Sequence, residues 1–195
     1  MDTTAGRRER KKAATRQALH EAALRLAVEQ GLERVTVEAI ADAADVSRRT
    51  FSNYFSSKEE VFFHADLVRI RRLLELVRAR PNDEAPWTAL RAAAEELVGD
   101  GDDLDPLWLA QRRLIRGHPS LAAQLVGTYG AAERELTAEI SRRLPAAPDT
   151  PLRSRVLAAA FLNALRAAIQ HWIDHPDRPL VELVHEGLGY ARGDL

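Results

Sequence analysis

The chain has 195 residues, 46% of them hydrophobic and 29% charged, so it can bury a substantial core and is not disordered as a whole. The absence of cysteine excludes disulfides, thiolate catalysis and cysteine-ligated metals, and fits a reducing compartment. A formal net charge of -1 argues weakly against a nucleic-acid partner, but that average conceals an uneven distribution along the chain.

The opening segment, residues 1–14 and a little beyond, carries Arg7, Arg8, Arg10, Lys11, Lys12 and Arg16 against only Asp2 and Glu9. A basic arm of this kind binds phosphate whatever the global sum, although a merely solvated tail has the same composition. It lacks the apolar stretch of a secretory signal, and no apolar run approaches the length of a membrane span. A cytoplasmic protein without a membrane partner is expected.

Helical periodicity then runs through nearly the whole chain, with no sustained alternation of period two, which predicts an all-α protein of about nine helices. In TRQALHEAALRLAVEQG the residues Leu19, Ala22, Ala23, Leu26 and Ala27 share one face, and Gly31 ends the helix. Thr36 is placed to cap a short second helix whose Val37, Ile40 and Ala41 face inward. This helix ends near Asp45, where glycine is more usual, although Asp tolerates the left-handed conformation. Ser47 caps a third helix with Phe51 and Phe55 four residues apart on one buried face. Ser57 and Glu60 form a capping box for a fourth helix, expected to run unbroken to about Arg80 before Pro81.

About three residues join the second and third helices, the length of the turn in a helix-turn-helix. Val35, Ile40, Val46, Phe51 and Phe55 are expected in its core. With both phenylalanines inward, Arg48, Arg49, Ser52 and Asn53 face outward. Guanidinium and amide groups are those that read base edges in the major groove. Thr50 and Tyr54 carry hydroxyls suited to phosphate. Lys58 sits at the positive end of the fourth helix, a position that a phosphate beside it makes reasonable.

The string GLERVTVEAIADAADVSRRTFSNYFSSKEEVFF resembles the DNA-binding domain of TetR-family transcriptional regulators over residues 15–62. Asp45 departs from the glycine usual there. Carried onto matching positions, the resemblance implies that Arg48, Arg49, Thr50 and Asn53 face bases and that Thr36, Ser47, Tyr54 and Lys58 contact phosphates. The arm from Arg7 to Lys12 would add salt-sensitive affinity and reach an adjacent minor groove.

Helix-turn-helix modules usually act as symmetric pairs on half-sites about 34 Å apart or multiples of that. The pairing surface is therefore sought in residues 63–195. In PLRSRVLAAAFLNALRAAIQHWID a stripe of Leu157, Phe161, Leu165, Ala168 and Trp172 runs beside Ala158, Ala159, Ala160, Ala164 and Ala167, which permit close helix approach. PLVELVHEGLGY adds Leu180, Leu183, Val184 and Leu188. Paired between two subunits, these helices would make a four-helix bundle; within one chain they would be ordinary core.

The segments RRLIRGHPSLAAQLVGTYGAAERELTAEISRRL and LRSRVLAAAFLNALRAAIQHWID are similar to the regulatory domain of mycofactocin-type TetR regulators. That similarity implies an acyl-CoA-like ligand. Trp87, Trp108, Leu73, Leu76, Val77, Leu114, Tyr129 and Phe161 are candidates for an apolar lining. Gln111, Arg112, Asn163, Arg166 and Gln170 are polar on otherwise apolar helices, where a ligand would partner them if they are buried. Arginine suits an anionic head group, although solvated arginines and core tryptophans would read the same.

His171 and His175, four apart, suit a metal on one helical face, but only His185 and Asp174 offer recruits, and no metal is expected. No phosphate loop, nucleophile elbow or metalloprotease motif is present, so the chain is expected to be neither an enzyme nor a cofactor binder. Together these readings predict a homodimeric repressor, released from double-stranded operator DNA by an acyl-CoA-like or another apolar effector. A DNA-binding architectural protein without an effector is the alternative.

Overall fold

The computed structural model describes residues 4–99 and 106–193, and among these it is all-α. The helices are α1 (Thr4–Gln30), α2 (Val37–Ala43), α3 (Arg48–Ser52), α4 (Lys58–Val61), α5 (His64–Ala79), α6 (Pro86–Gly99), α7 (Pro106–Gly117), α8 (Pro119–Arg143), α9 (Thr150–Asp174) and α10 (Leu180–Arg192), with a 3₁₀ turn at Leu32–Arg34 after α1. Pro86, Pro106 and Pro119 open their helices, Pro151 lies in the first turn of α9 and Pro179 precedes α10. A first-turn proline loses nothing, because its missing N–H would have had no helical partner. Gly101 and Asp2 lie outside the described residues.

From Thr4 onward the basic arm is the beginning of α1 rather than an extended tail, and Lys12 pairs there with Glu9 at 2.7 Å. The other end of α1 is closed at Gly31, whose φ of 84° favours a residue without Cβ. Asp45, at φ 53°, supplies the left-handed residue of the α2–α3 turn.

The expected fourth helix is broken in two. Val61, Phe62 and Phe63 are all buried, and three consecutive side chains cannot share one face of a regular α-helix. The backbone tightens instead, with Phe62 and Phe63 donating to the carbonyls of Glu59 and Glu60 three residues back.

The described residues form two compact units, 4–68 with 106–126, and 69–99 with 127–193. In the first, α1 supplies Leu19, Ala22, Ala23 and Ala27 to a core that takes in Val35, Ile40, Phe51 and Phe55. Ile115 of α7 and Leu121 of α8 join them, while Val46 is only partly buried against this core. Each phenylalanine so buried stabilises the unit by about 1.5–3 kcal/mol.

In the second unit α9 packs on α10 and α6. The α9–α10 approach is close at Gly187, where a Cβ would stand 3.4 Å from that of Ala168. Arg143, buried in α8, donates to the carbonyls of Val77 at 2.7 Å and Arg80 at 3.3 Å, satisfying the end of α5.

Two expectations change here. Phe161, Leu165 and Ala168 of α9, with Leu180, Leu183, Val184 and Leu188 of α10, are buried within their own chain. The face left over on α9 carries Leu152 and Val156 instead, both exposed. By length and composition α9 is also long and apolar enough to cross a membrane, contrary to the expectation that no apolar run approaches that length. Its exposed face also carries Asn163, Arg166 and Gln170.

Candidate nucleic-acid interface

Three capping side chains shape the helix-turn-helix. Thr36 Oγ1 accepts the Ala39 N–H at 3.1 Å, Ser47 Oγ that of Thr50 at 3.1 Å, and Ser57 Oγ that of Glu60 at 3.2 Å. Each satisfies a helix-start donor and sets the direction of α2, α3 or α4. Glu60 completes the box one residue earlier than expected, its carboxylate accepting from the N–H and hydroxyl of Ser56 at 2.5 and 2.6 Å. The Thr50 hydroxyl lies 2.9 Å from that of Ser47.

Phe51 and Phe55 pack inward with their rings tilted by 45° and centroids 5.7 Å apart, which turns Arg48, Arg49, Ser52 and Asn53 to the surface. Arg48 pairs with Glu38 of α2 at 2.9 Å, and Arg16 lies over the Tyr54 ring at 5.3 Å. Lys58 reaches back, donating to the carbonyls of Val35 at 3.1 Å and Leu32 at 3.5 Å. Its ammonium therefore ties α4 to the segment entering α2, a role that its spacing did not announce. Beneath this surface His20 Nδ1 donates to the Val61 carbonyl at 2.8 Å, and the His20 and His64 rings meet edge-on at 5.8 Å.

The expected effector residues are placed differently from one another. Trp108, Gln111 and Arg112 belong to the first unit, whereas Trp87, Tyr129, Phe161, Asn163 and Arg166 belong to the second. Gln111 is fully buried and donates from Nε2 to Asp66 Oδ2 and to the Phe62 carbonyl, both at 2.6 Å. Arg112 pairs with the other Asp66 oxygen and lies over the Trp108 ring at 5.1 Å. Gln111 Nε2 and the Arg112 charge thus find partners in the chain itself, whereas the buried Gln111 Oε1 and Arg112 Nε have none among the described residues. In the second unit Trp87 meets Phe161 edge-on at 6.3 Å, and its buried Nε1 has no hydrogen-bond partner among the described residues. Tyr129 is half-buried. Asn163 and Arg166 are exposed, bonded to Ala159 O and to each other, so they do not line an interior surface of this chain. Nor do His171 and His175 gather further ligands: their rings stack at 4.7 Å, and no group of three metal-ligating residues occurs among the described residues.

Residues 19–65 match the model of bacterial regulatory proteins of the tetR family, and residues 84–193 match that of the MftR C-terminal domain. The chain belongs to the TetR family. Along its length it is 33% identical over 184 residues to the HTH-type transcriptional regulator TcmR of Streptomyces glaucescens, an alignment spanning 91% of this chain and 81% of the relative. Among solved structures it resembles Thermus thermophilus FadR, a TetR-family repressor in complex with lauroyl-CoA, with TM-score 0.55, 24% identity and coverage of 91% and 93% of the two chains. It also resembles SmeT of Stenotrophomonas maltophilia in its triclosan complex, with TM-score 0.57, 19% identity and coverage of 93% and 91%.

As a TetR-family member the chain is a DNA-binding transcriptional regulator and not an enzyme. Three of its pairings are not legible in the sequence. Glu38 stands ten positions before Arg48, Arg16 is 38 before Tyr54, and Asp66 is 46 before Arg112. No local periodicity connects residues at such separations. The one available signal was that buried Gln and Arg on an apolar helix need a partner, and Asp66 opens α5 with the required carboxylate.

Proposed function

We propose that the chain is a homodimeric repressor that reads operator DNA with α3 and releases it when the regulatory domain binds an acyl-CoA-like or another apolar effector. The observation that carries the DNA half is the division of α3 into an inward Phe51 and an outward Arg48, Arg49, Ser52 and Asn53. Arg48, Arg49, Thr50 and Asn53 are assigned to bases. Thr36, Ser47 and Tyr54 are assigned to phosphates, with Lys58 supporting both the phosphate track and the α4 anchor. The exposed Arg7, Arg8, Arg10 and Lys11 extend this basic track along α1 and add salt-dependent affinity. Such a protein works in the cytoplasm, where its DNA is.

Pairing is assigned to the outer faces of α9 and α10, where Leu152, Val156 and Tyr190 are exposed and small residues such as Ala160 and Ala167 allow close approach. Only a third of the most apolar stretch of α9 is buried in one chain, and a second copy would cover more of it. For the effector, support comes from the MftR-type domain match and from the lauroyl-CoA and triclosan held by the two similar structures. Trp87 and Phe161 contribute apolar surface, and the unpartnered Trp87 Nε1 offers a donor.

A second reading, a DNA-binding protein without an effector, draws on Asp66, which already partners Gln111 and Arg112. Native mass spectrometry of purified protein, followed by operator-binding titrations with lauroyl-CoA, separates the two. A dimer whose DNA affinity falls at least tenfold, about 1.4 kcal/mol, supports the ligand-responsive repressor. Unchanged affinity across acyl chain lengths supports the second reading, and a monomer overturns the two-half-site mechanism.

A further inference from the structure

We propose that Glu38 is a specificity-determining residue that acts through Arg48, withholding that arginine from the phosphate backbone and presenting its remaining edge to the bases. The inference rests on the DNA-binding reading and concerns a residue outside the recognition helix. Glu38 lies in the first turn of α2, two positions after the capping Thr36. A carboxylate there complements the helix dipole, which alone would explain its presence. Its side chain, however, crosses to the next helix, where Oε1 lies 2.9 Å from Arg48 Nη1. The side chains are 55% and 72% exposed, so in water the pair adds little to folding.

Its significance appears when the partner is a polyanion. A carboxylate on a face that meets DNA repels phosphate, an unfavourable contribution to sequence-independent affinity. A long, exposed arginine without a tether is free to turn to the nearest phosphate. Arg49 is in that condition, having no ion pair among the described residues, whereas Arg48 is engaged by one terminal nitrogen. The guanidinium is a rigid fork of five donors, so an Nη1 held by Glu38 leaves Nη2 and Nε on one edge. Two donors on one edge match the O6 and N7 acceptors of guanine. The adjacent arginines are thereby made unequal: Arg48 is oriented for reading, and Arg49 can serve either bases or backbone.

The test is selection from a random duplex library with the full-length wild type, Glu38→Gln, Glu38→Asp, Arg48→Ala and the Glu38→Gln/Arg48→Ala double variant. Affinities for the selected duplex and a scrambled one are then measured across a salt series. With Glu38→Gln the preference for the selected duplex should fall about tenfold, and binding of the scrambled duplex should strengthen and become steeper in salt by about one phosphate equivalent. Glu38→Asp keeps the charge at the start of α2 but loses reach, so it should relax selection without affecting the thermal melt. In the Arg48→Ala background Glu38→Gln should leave the preference unchanged within about twofold.

The proposal is overturned if Glu38→Gln retains full preference and the same salt slope. It is equally overturned if that substitution has its whole effect without Arg48, since Glu38 would then touch DNA directly. Failure of the wild type to enrich any sequence would overturn the DNA-binding reading as well, which distinguishes the two failures.

Discussion

The amide of Gln111 and the carboxylate of Asp66 meet at 2.6 Å in the interior, and Arg112 closes on the same carboxylate from the next position along α7. This bond fastens the first turn of α5 to α7. Removing one member of a buried pair strands the other, at a cost of about 3–5 kcal/mol. Asp66→Ala should therefore lower the unfolding free energy by roughly that amount, as read from urea titrations, and Asp66→Asn by less. The Asp66→Leu/Arg112→Met double variant should recover most of the loss. A change below about 1 kcal/mol for Asp66→Ala would show the pair to be solvated.

Arg49 and Lys58 should separate reading from holding. Arg49→Ala is expected to relax base preference by about 1–3 kcal/mol at one position, with folding unaffected. Lys58 donates to two backbone carbonyls, so Lys58→Ala should weaken all duplexes alike and also cost about 1–2 kcal/mol of stability. Fluorescence anisotropy on selected and scrambled duplexes, paired with thermal melts, checks both expectations.

Asp45 occupies the left-handed region at φ 53°, where glycine meets no Cβ conflict. Asp45→Gly should raise stability by about 0.5–1 kcal/mol, the local strain relieved less the extra entropy of an unfolded glycine. A lower melting temperature in that variant would mean that the aspartate contributes more than its backbone conformation costs.

Val156 is exposed on α9 and is assigned to the subunit interface. If the protein pairs as proposed, Val156→Glu should leave a folded monomer, visible in sedimentation velocity, and weaken operator binding because one half-site is lost. A variant that stays dimeric would move the pairing surface elsewhere.

Arg178 bonds Glu186 and Glu182 at the start of α10, and its hydrogen bond holds the Glu186 carboxyl below its ordinary 4.5. A carboxyl depressed in the folded state stabilises it above the unfolded value, and the contribution disappears as pH falls through the folded value. Stability should thus decline below about pH 4.5 less steeply in Glu186→Gln than in the wild type, as denaturant titrations at successive pH values would show.

Much of the protein was legible because it is local. Phe51 and Phe55, four apart, determine which side of α3 faces the core, and Thr36, Ser47 and Ser57 mark helix starts through bonds spanning three residues. The prolines mark later helix starts for the same reason. The break after Val61 was less visible, since three buried residues in succession become a conflict only when a core exists on more than one side. Asn163 and Arg166 illustrate the converse: their apolar neighbours suggested burial, yet they occupy the exposed strip of α9.

By itself the sequence determined an all-α chain, the caps and turn of a helix-turn-helix, and the polar identity of the face that α3 exposes. Those are consequences of backbone geometry repeating every few residues. Only the tertiary structure decided that Glu38 engages Arg48, that Lys58 fastens α4 to Val35, and that Asp66 answers Arg112. Such pairings join positions far apart in the chain, and helix packing, which carries no short-range period, brings them within bonding distance.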